Sequence, residues 1–474
     1  MPQYAISDRS QDAKCVSEFK YLAGIRATNP LDQCLGEAGI NIYTIWSTKM
    51  TRTPLLLAMG VLVAPAVLAA VTDEEFEQLR LQVADLSQRL DALAVENAEL
   101  KRSQSSVESG ANEVQAADSG PTADTWSSRI SLDGDFRYRY ERIDVQGSED
   151  HRRSRIRART NIRADLADNL EVGFGLATGG EDPVSTNQTL GGGGSSKNIS
   201  LNLAYADWAP VDGLHIIAGK FENRLARVGK QGLMWDSDWT PEGFAVTYKH
   251  DWFFANVLGS SLESDTKKDN SNFSWGGQVG AKGDVGDVTL TAGIAYYSIP
   301  TKGKSTTFGD PGDPDDYFGN SAVEASGLAC GSTPGTDCIY LYDYRLTEVF
   351  AEASFQIGDW PTAVFFDYVR NSEADENNTG WTLGAKIGQA KDRGQMEFYY
   401  FYADKQADSM LGLLTDSDFA GGGTDNKGHF FKFTYGVNKT WSIGAKYFIN
   451  EIDVATGNKR DYNRLMLDTQ WKWK

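Results

Sequence analysis

Residues 153–166 of this chain carry an arginine at almost every second position, with small or aliphatic side chains between them. A period of two is that of a β-strand, whose successive side chains point to opposite faces. Guanidinium groups without partners are very costly to remove from water. The charged face of this strand is therefore expected to look into water, which excludes a dry protein interior on that side.

The same alternation of apolar and polar side chains recurs in sixteen segments between Trp126 and Lys474. The predicted strands are residues 129–142, 153–166, 170–178, 199–209, 214–221, 243–249, 252–260, 273–282, 288–298, 344–357, 362–370, 379–388, 395–404, 429–437, 441–450 and 462–473.

The connections between these segments alternate between short and long. The short ones are residues 168–169, 210–213, 250–251, 283–287, 358–361, 389–394 and 438–440. The others range from residues 371–378 to the much longer 299–343. In a soluble β-sandwich there is no reason for short and long connections to alternate along the chain. Membrane barrels show this alternation, because their short turns lie on one side of the membrane and their long loops on the other. We therefore predict an all-β fold, a transmembrane antiparallel β-barrel of about 16 strands over residues 125–474, in the bacterial outer membrane.

Aromatic side chains on the apolar faces lie near the predicted strand ends. Girdles of this kind mark the interfaces of a bilayer, so outer-membrane lipid is expected around the barrel. In a soluble β-protein the same residues would form the core. The alternation of short and long connections and the charged inner face favour the membrane barrel.

The segment before the barrel has the features of an export signal. Arg52 supplies a positive charge, residues 54–70 are continuously apolar, and residues 67–69 form a small-residue cleavage site. We interpret residues 50–69 as a signal peptide, with a membrane anchor as the alternative. Residues 1–49 show no sustained periodicity and are interpreted as an extension outside the working protein.

Residues 73–103 repeat apolar side chains every seven residues, a pattern typical of an α-helical coiled coil. The two apolar positions of the repeat hold Phe76, Val83, Leu90 and Asn97, and Leu79, Leu86, Leu93 and Leu100. A lone amphipathic helix is the alternative. We expect the coil and the barrel wall to join copies of the chain in a homo-oligomer, with a trimer favoured. Residues 104–124, which lack apolar spacing, are predicted to be a flexible linker.

The chain carries 46 basic and 65 acidic residues, a net charge of −19. Because nucleic-acid binding depends on clustered Lys and Arg, nucleic acid is not expected as a partner. The surplus acid is assigned to loops at residues 263–265, 310–316, 372–376 and 404–418. The four histidines show no catalytic-triad or metal-ligand spacing, so we expect no metal, no cofactor and no enzymatic activity.

Several stretches of the barrel region carry a family resemblance. They are residues 134–144 (GDFRYRYERID), 153–160 (RSRIRART), 182–197 (DPVSTNQTLGGGGSSK), 203–212 (LAYADWAPVD), 240–243 (TPEG), 414–429 (LTDSDFAGGGTDNKGH) and 461–468 (DYNRLMLD). Residues 126–474 as a whole resemble the Gram-negative outer-membrane family called the putative porins. The resemblance implies an export signal and a short coiled coil joined to a barrel.

Charged side chains at inward positions are predicted to line the pore. They are Asp133, Asp135, Arg137, Arg139, Glu141, Arg153, Arg155, Arg157, Arg159, Arg163, Glu348, Glu352 and Asp367. The arginine row has two interpretations. In the first, the row attracts anions or sets a transverse electric field against the three acids of residues 344–370. In the second, the row forms ion pairs with the acids of residues 129–142.

The predicted inner surface is mildly positive. We expect a passive diffusion channel for small hydrophilic solutes or ions, with a weak preference for anions. An outer-membrane enzyme and a structural or adhesive barrel are the alternatives.

A long loop that bends into a barrel commonly sets its bore. The best candidate is residues 222–240, with candidate constriction residues Glu222, Arg224, Arg227, Lys230, Asp236 and Asp238. Residues 299–343 form the rival loop. In an oxidising compartment its Cys330 and Cys338 are expected to form a disulfide rather than remain two free thiols.

Overall fold

The computed structural model describes residues 126–180, 182–264, 271–306, 316–333 and 336–474. Sixteen long strands form one antiparallel sheet that closes on itself. In chain order they are β1 (Ile130–Val145), β2 (His151–Ala167), β3 (Leu170–Thr178), β4 (Ile199–Val211), β5 (Leu214–Lys220), β6 (Glu242–His250), β7 (Phe253–Glu263), β8 (Asn272–Val285), β9 (Val288–Ile299), β10 (Tyr344–Ile357), β11 (Trp360–Asn371), β12 (Thr379–Gly388), β13 (Met396–Lys405), β14 (Asn426–Gly436), β15 (Trp441–Ile452) and β16 (Arg460–Trp473).

All sixteen predicted strands are present, and the predicted antiparallel barrel is confirmed. Several strands run further than the alternation predicts, as β8 does in reaching Val285. Smaller elements occur in the loops: Gln188–Thr189 bridges to β2, and Ala322–Glu324 pairs with Cys338–Tyr340. None of the helical turns in the described residues is long and apolar enough to cross a membrane.

The expectations for the N-terminal part of the chain lie outside the described residues. These are the extension at 1–49, the signal peptide at 50–69, the coiled coil at 73–103 and the linker at 104–124.

The barrel closes where β1 pairs with β16, from Gly134 opposite Trp473 to Val145 opposite Tyr462. Gly134 is required at this seam, because a Cβ there would lie 2.2 Å from the carbonyl oxygen of Arg159 and 2.4 Å from the ring of Trp473. Both ends of the barrel sequence therefore lie beside the short turns. We call this end of the barrel the inner end, and the end with the long loops the outer end.

The wall of the barrel has its apolar side outside and its charged side inside. In β1 the rings of Phe136 and Tyr138 are exposed, whereas Asp135, Arg137 and Arg139 are buried. A soluble protein shows the opposite distribution. Exposed tryptophans lie beside the inner-end turns, at positions 208, 252, 360 and 473. An apolar outer band bounded by such rings is the surface that lipid requires.

Two long connections fold into the barrel and pack on each other. They are residues 221–241, between β5 and β6, and residues 406–425, between β13 and β14; we call them the crossing loop and the second inward loop. Their core contains Leu233, Met234, Trp235, Trp239, Leu411, Leu413 and Leu414. The backbone N–H of Asp236 donates to the carbonyl of Leu414 at 2.8 Å, and that of Asp416 donates to Gly232 at 3.0 Å. The interior is therefore partly filled by loops.

Candidate functional site

The arginine row of β2 lies directly against the acids of β1. Arg157 and Arg159 bind Asp135 at 2.8 and 2.6 Å, and Arg153 binds Glu141 at 2.8 Å. Arg163 forms a further ion pair with Asp133. Of the two interpretations of the row, pairing with the first strand is the one the geometry supports.

The expectation that the charged face of β2 looks into water is wrong at Arg157, which has only 6% of its surface exposed. On the facing strand β1, Arg137 and Arg139 are also buried, with 8% and 0% of their surface exposed. Arg139 is buried because Asp468 on β16 and Asp418 of the second inward loop bind it at 2.7 and 2.9 Å. Desolvation of a charge is tolerable when opposite charges and hydrogen bonds replace water.

The crossing loop is anchored to the arginine row through Asp238. Its carboxylate lies 3.3 Å from Arg157 Nη1 and 3.1 Å from Arg159 Nη1. Burial alone would raise the pKa of Asp238, but the neighbouring arginines outweigh burial and hold that pKa below its ordinary value. Asp238 is therefore an ionised tether between loop and wall.

The acids of β10 and β11 receive the other end of the same loop. The backbone N–H of Gly229 donates to Glu352 at 2.7 Å, and Gln231 Nε2 donates to Asp367 at 2.7 Å. Gly229 has a φ of 63°, and a Cβ there would lie 2.6 Å from the ring of Phe365. Glycine is needed for this close approach.

Glu348, the third predicted acid on this wall, lies beside the crossing loop's anchor. Its carboxylate accepts hydrogen bonds from Tyr297 at 3.0 Å and from Gln278 at 3.3 Å. The Gln278 side chain also donates to the carbonyl of Ala226 in the crossing loop at 3.1 Å. Part of the predicted acidic lining thus holds the crossing loop in place through hydrogen bonds.

Strands β2 and β10 lie on opposite sides of a sixteen-stranded barrel. A segment that contacts Arg157 on one and Glu352 on the other must span the bore. Within this segment Arg227 Nη1 donates to the carbonyl of Trp235 at 3.0 Å, so the loop also braces itself. Near its start Glu222 lies 3.9 Å from Arg163, and Arg224 lies 3.7 Å from Asp207.

Residues 404–418 are predicted as a loop that supplies surplus acid, and Asp408, Asp416 and Asp418 do lie in a loop. The sequence analysis missed that this loop folds into the barrel and buries its acids. Asp408 is 3% exposed, and the backbone of Asp416 is hydrogen-bonded to the crossing loop. Asp418 binds Arg139, Arg464 and Lys446. The run Met410–Leu414 is too apolar for an exposed loop, and this signal could have indicated burial.

The described part of the rival loop, predicted as residues 299–343, packs on the second inward loop. Asn320 Nδ2 donates to the carbonyls of Ala407 and Met410 at 2.7 and 2.8 Å. Cys330 and Cys338 form a disulfide, with Cα atoms 5.7 Å apart. The described part of this loop therefore supports a neighbouring loop.

The loops divide the bore into cavities. A cavity of about 800 Å³ at the outer end and one of about 760 Å³ at the inner end share four lining residues. These are Asn202, Asp238, Trp239 and Thr240. These shared residues form a rim between the two spaces, beside the crossing loop.

Two further inner-end cavities, of about 810 and 560 Å³, meet at Gly229, Lys230 and Lys386. Among the described residues no group of His, Cys, Asp and Glu is arranged to hold a metal ion.

A closed barrel with an apolar outer band, a charged interior and a loop across its bore defines an outer-membrane channel of the porin class. The model of the family described as "Putative porin" matches residues 144–307 and 342–472, more than half of the chain. The chain belongs to this family, and its place is the bacterial outer membrane.

The chain is similar to several solved structures. OprB of Pseudomonas putida, in its high-pH structure, has 12% sequence identity and a TM-score of 0.50, over 73% of this chain and 95% of that one. OmpF of Salmonella typhi in complex with daunomycin has 13% identity and a TM-score of 0.43, over 73% and 97%. The trimer form of OmpT, an outer-membrane protein of Vibrio cholerae, has 13% identity and a TM-score of 0.41, over 73% and 99%. No curated protein matches the sequence.

Proposed function

We propose that this porin is a passive diffusion channel for small hydrophilic solutes and ions, and that the crossing loop is its constriction. One observation carries the proposal: the loop is tethered to Arg157 on β2 and to Glu352 on β10, which face each other across the barrel. A loop fixed at both walls narrows the bore without closing it. The shared rim at Asn202 and Trp239 is the expected path past it.

We propose a weak preference for anions, with a source different from the arginine row. The arginines of β2 are largely compensated by Asp135, Glu141 and Asp238. The inner-end cavities carry more basic than acidic side chains, whereas the outer cavity carries more acidic ones. Opposite signs at the two ends offset each other, so the net selectivity is small.

The constriction is tested by shortening the crossing loop. Replacing residues 226–236 with a short Gly-Ser linker removes the contact with β10 and keeps Asp238. We expect single-channel conductance in a planar bilayer to rise several-fold, and larger sugars to enter proteoliposomes. Deletion of Gly192–Gly194, an exposed turn in open space, is the matched control and should leave conductance unchanged.

Unchanged conductance in the correctly folded loop variant would show that the constriction lies elsewhere. A wild-type protein that gives no ohmic steps would contradict the diffusion channel and favour a structural, adhesive or enzymatic barrel. Folding of each variant is checked by its heat-dependent mobility in SDS gels.

We also propose that the chain forms a homo-oligomer, with a trimer favoured. The support is the heptad pattern at residues 73–103. Cross-linking of the detergent-solubilised protein, with and without residues 73–103, measures the number of chains. A monomer in both cases would refute the proposal.

A further inference from the structure

One inner-end cavity, of about 560 Å³, is lined by many more cations than anions; we call it the basic chamber. Its basic residues are Arg137, Lys230, Lys386, Lys391, Lys432, Lys446 and Lys472, and its acidic residues are Glu397 and Asp468. The basic residues come from five strands, the crossing loop and one inner-end turn. The surplus of positive charge is thus assembled by the closed barrel.

The two acids of the chamber are already occupied. Glu397 binds Lys432 at 2.9 Å, and Asp468 binds Arg139, which lies outside the chamber lining, at 2.7 Å. Lys446 is 3.3 Å from Asp418. The other cations, Arg137, Lys230, Lys386, Lys391 and Lys472, make no ion pair within the described part of the chain. The chamber therefore keeps a net positive charge after its internal pairs are formed.

Arg137 is the most constrained of these cations, because it is 8% exposed and faces no carboxylate across either strand pair. Its neighbour on β2 is Arg157, and its neighbour on β16 is Gln470. One terminal nitrogen, Nη2, donates to Asn187 Oδ1 at 2.5 Å, whereas Nε has no hydrogen-bond partner. A buried guanidinium with a free N–H is a strong donor to an oxyanion.

Lys472 also keeps a free charge although it lies opposite Asp135 in the strand register. The Asp135 carboxylate is shared by Arg157 and Arg159, at 2.8 and 2.6 Å. Its charge is therefore committed to β2, and Lys472 remains available to the chamber.

We propose that the basic chamber is a binding site for a small multivalent oxyanion, an inorganic phosphate or a di- or tricarboxylate. The proposal rests on the diffusion channel proposed above, because the solute reaches the chamber through the bore. The volume lies within the roughly 300–1,000 Å³ of small-molecule sites. The wall cations lie on one arc of neighbouring strands, from β12 through β16 to β1, and Lys230 faces them from the crossing loop. An anion with two or more charged groups can therefore contact several of them at once, which a monovalent ion does less strongly.

The test is a block of ionic current. Wild-type channels in a planar bilayer carry chloride, and inorganic phosphate, citrate or acetate is added to each compartment in turn. We expect phosphate or citrate to reduce the current in a saturable way and acetate to have no effect. The stronger blocker of the first two identifies the class of oxyanion.

The site is assigned by the variant Arg137→Gln, Lys386→Gln, Lys472→Gln. We expect its half-blocking concentration to rise about tenfold or more, since three charge-assisted contacts are lost. Lys459→Gln removes one positive charge from the outer end, where Lys459 pairs with Glu451, and should leave the block unchanged. If the triple variant does not fold, Lys386→Gln, Lys472→Gln keeps Arg137 in place and provides the same comparison.

The outcomes separate the two proposals. A silent membrane refutes the diffusion channel itself. Ohmic channels that acetate and citrate affect equally, or a block that the lysine variants do not weaken, refute the chamber as an oxyanion site and leave the channel intact.

Discussion

The two ends of the bore differ in the sign of their charge. The outer cavity is lined by four carboxylates, Asp182, Asp238, Glu242 and Glu263, and by one lysine, Lys220. The basic chamber at the inner end has seven cations and two carboxylates. The net charge of −19 would have suggested a uniformly acidic interior, yet the cavities at the two ends carry opposite signs. We therefore expect the position of charge along the bore, more than total charge, to govern selectivity.

The largest expected effect concerns the ion pairs that hold the second inward loop in the bore. Arg139→Met leaves Asp418 and Asp468 buried without their main cation. We expect the free energy of unfolding to fall by about 3–5 kcal/mol. The measurement is urea unfolding in lipid vesicles followed by tryptophan fluorescence.

The control is Arg142→Met, on the same strand as Arg139 but in an exposed pair with Asp150 of the following turn, at 2.7 Å, where little or no loss is expected. Equal losses in both variants would show that Arg139 contributes no more than a surface ion pair.

The contrast between the ends is tested by neutralising one end at a time. Glu242→Gln with Glu263→Gln at the outer end should raise the chloride-to-potassium permeability ratio roughly twofold, and Lys386→Gln with Lys472→Gln should lower it by a similar factor. Reversal potentials under a salt gradient measure the ratio. Shifts in the same direction for both pairs would overturn the assignment of opposite signs.

A smaller effect is expected from pH, through Asp236 in the crossing loop. Burial raises the pKa of Asp236 well above its ordinary value, and Asp416 and Asp238 raise that pKa further. The folded protein thus binds this proton more tightly than the unfolded chain. Its stabilising contribution is present at low pH and is lost as the pH rises through the raised pKa.

The pKa of Asp418 is shifted in the opposite direction to that of Asp236. Burial would raise the pKa of Asp418, but Arg139, Lys446 and Arg464 hold it well below its ordinary value. Its contribution is present above the ordinary pKa and disappears as the pH falls through the lowered one. We expect the melting temperature to pass through a maximum in the acidic range. Asp236→Asn should remove the decline on the alkaline side only; a decline that persists would exclude Asp236 as its cause.

The smallest effect is expected from Arg155→Glu. Arg155 lies 3.8 Å from Glu141 and does not bind Asp135 or Asp238, so this variant tests the charge of the arginine row without breaking the tether of the crossing loop. We expect a slight shift of the reversal potential toward cations, smaller than that of the lysine pair. A reversal-potential shift larger than that of the lysine pair would show that the arginine row is the main source of anion attraction.

The sequence was most informative where the signal is local. Side-chain alternation alone located β1 and β2 and assigned Asp135, Arg137 and Arg157 to the inner face. The parity of the loops indicated a closed barrel, and residues 222–240 were identified as the loop to examine. Each of these inferences uses neighbours in the chain, because strand period and turn length are properties of short segments.

Burial inside the bore was not accessible in the same way. Arg139 and Asp418 are 279 residues apart in the chain and meet at 2.9 Å. The alternation of side chains around Arg139 or around Asp418 gives no sign that these two residues are in contact. The second inward loop was therefore predicted only as an acidic loop, and the arginine face was assigned to water.

The sequence by itself determined the number of strands, which face of each strand is charged, and which connections are long. Only the tertiary structure decided which charges cancel and which remain free, so that the arginine row became a scaffold for loops and Arg137 and Lys472 were left to the basic chamber. The physical reason is that strand formation depends on local geometry, whereas electrostatic compensation depends on distances between groups that only the closed barrel and its inward loops bring together.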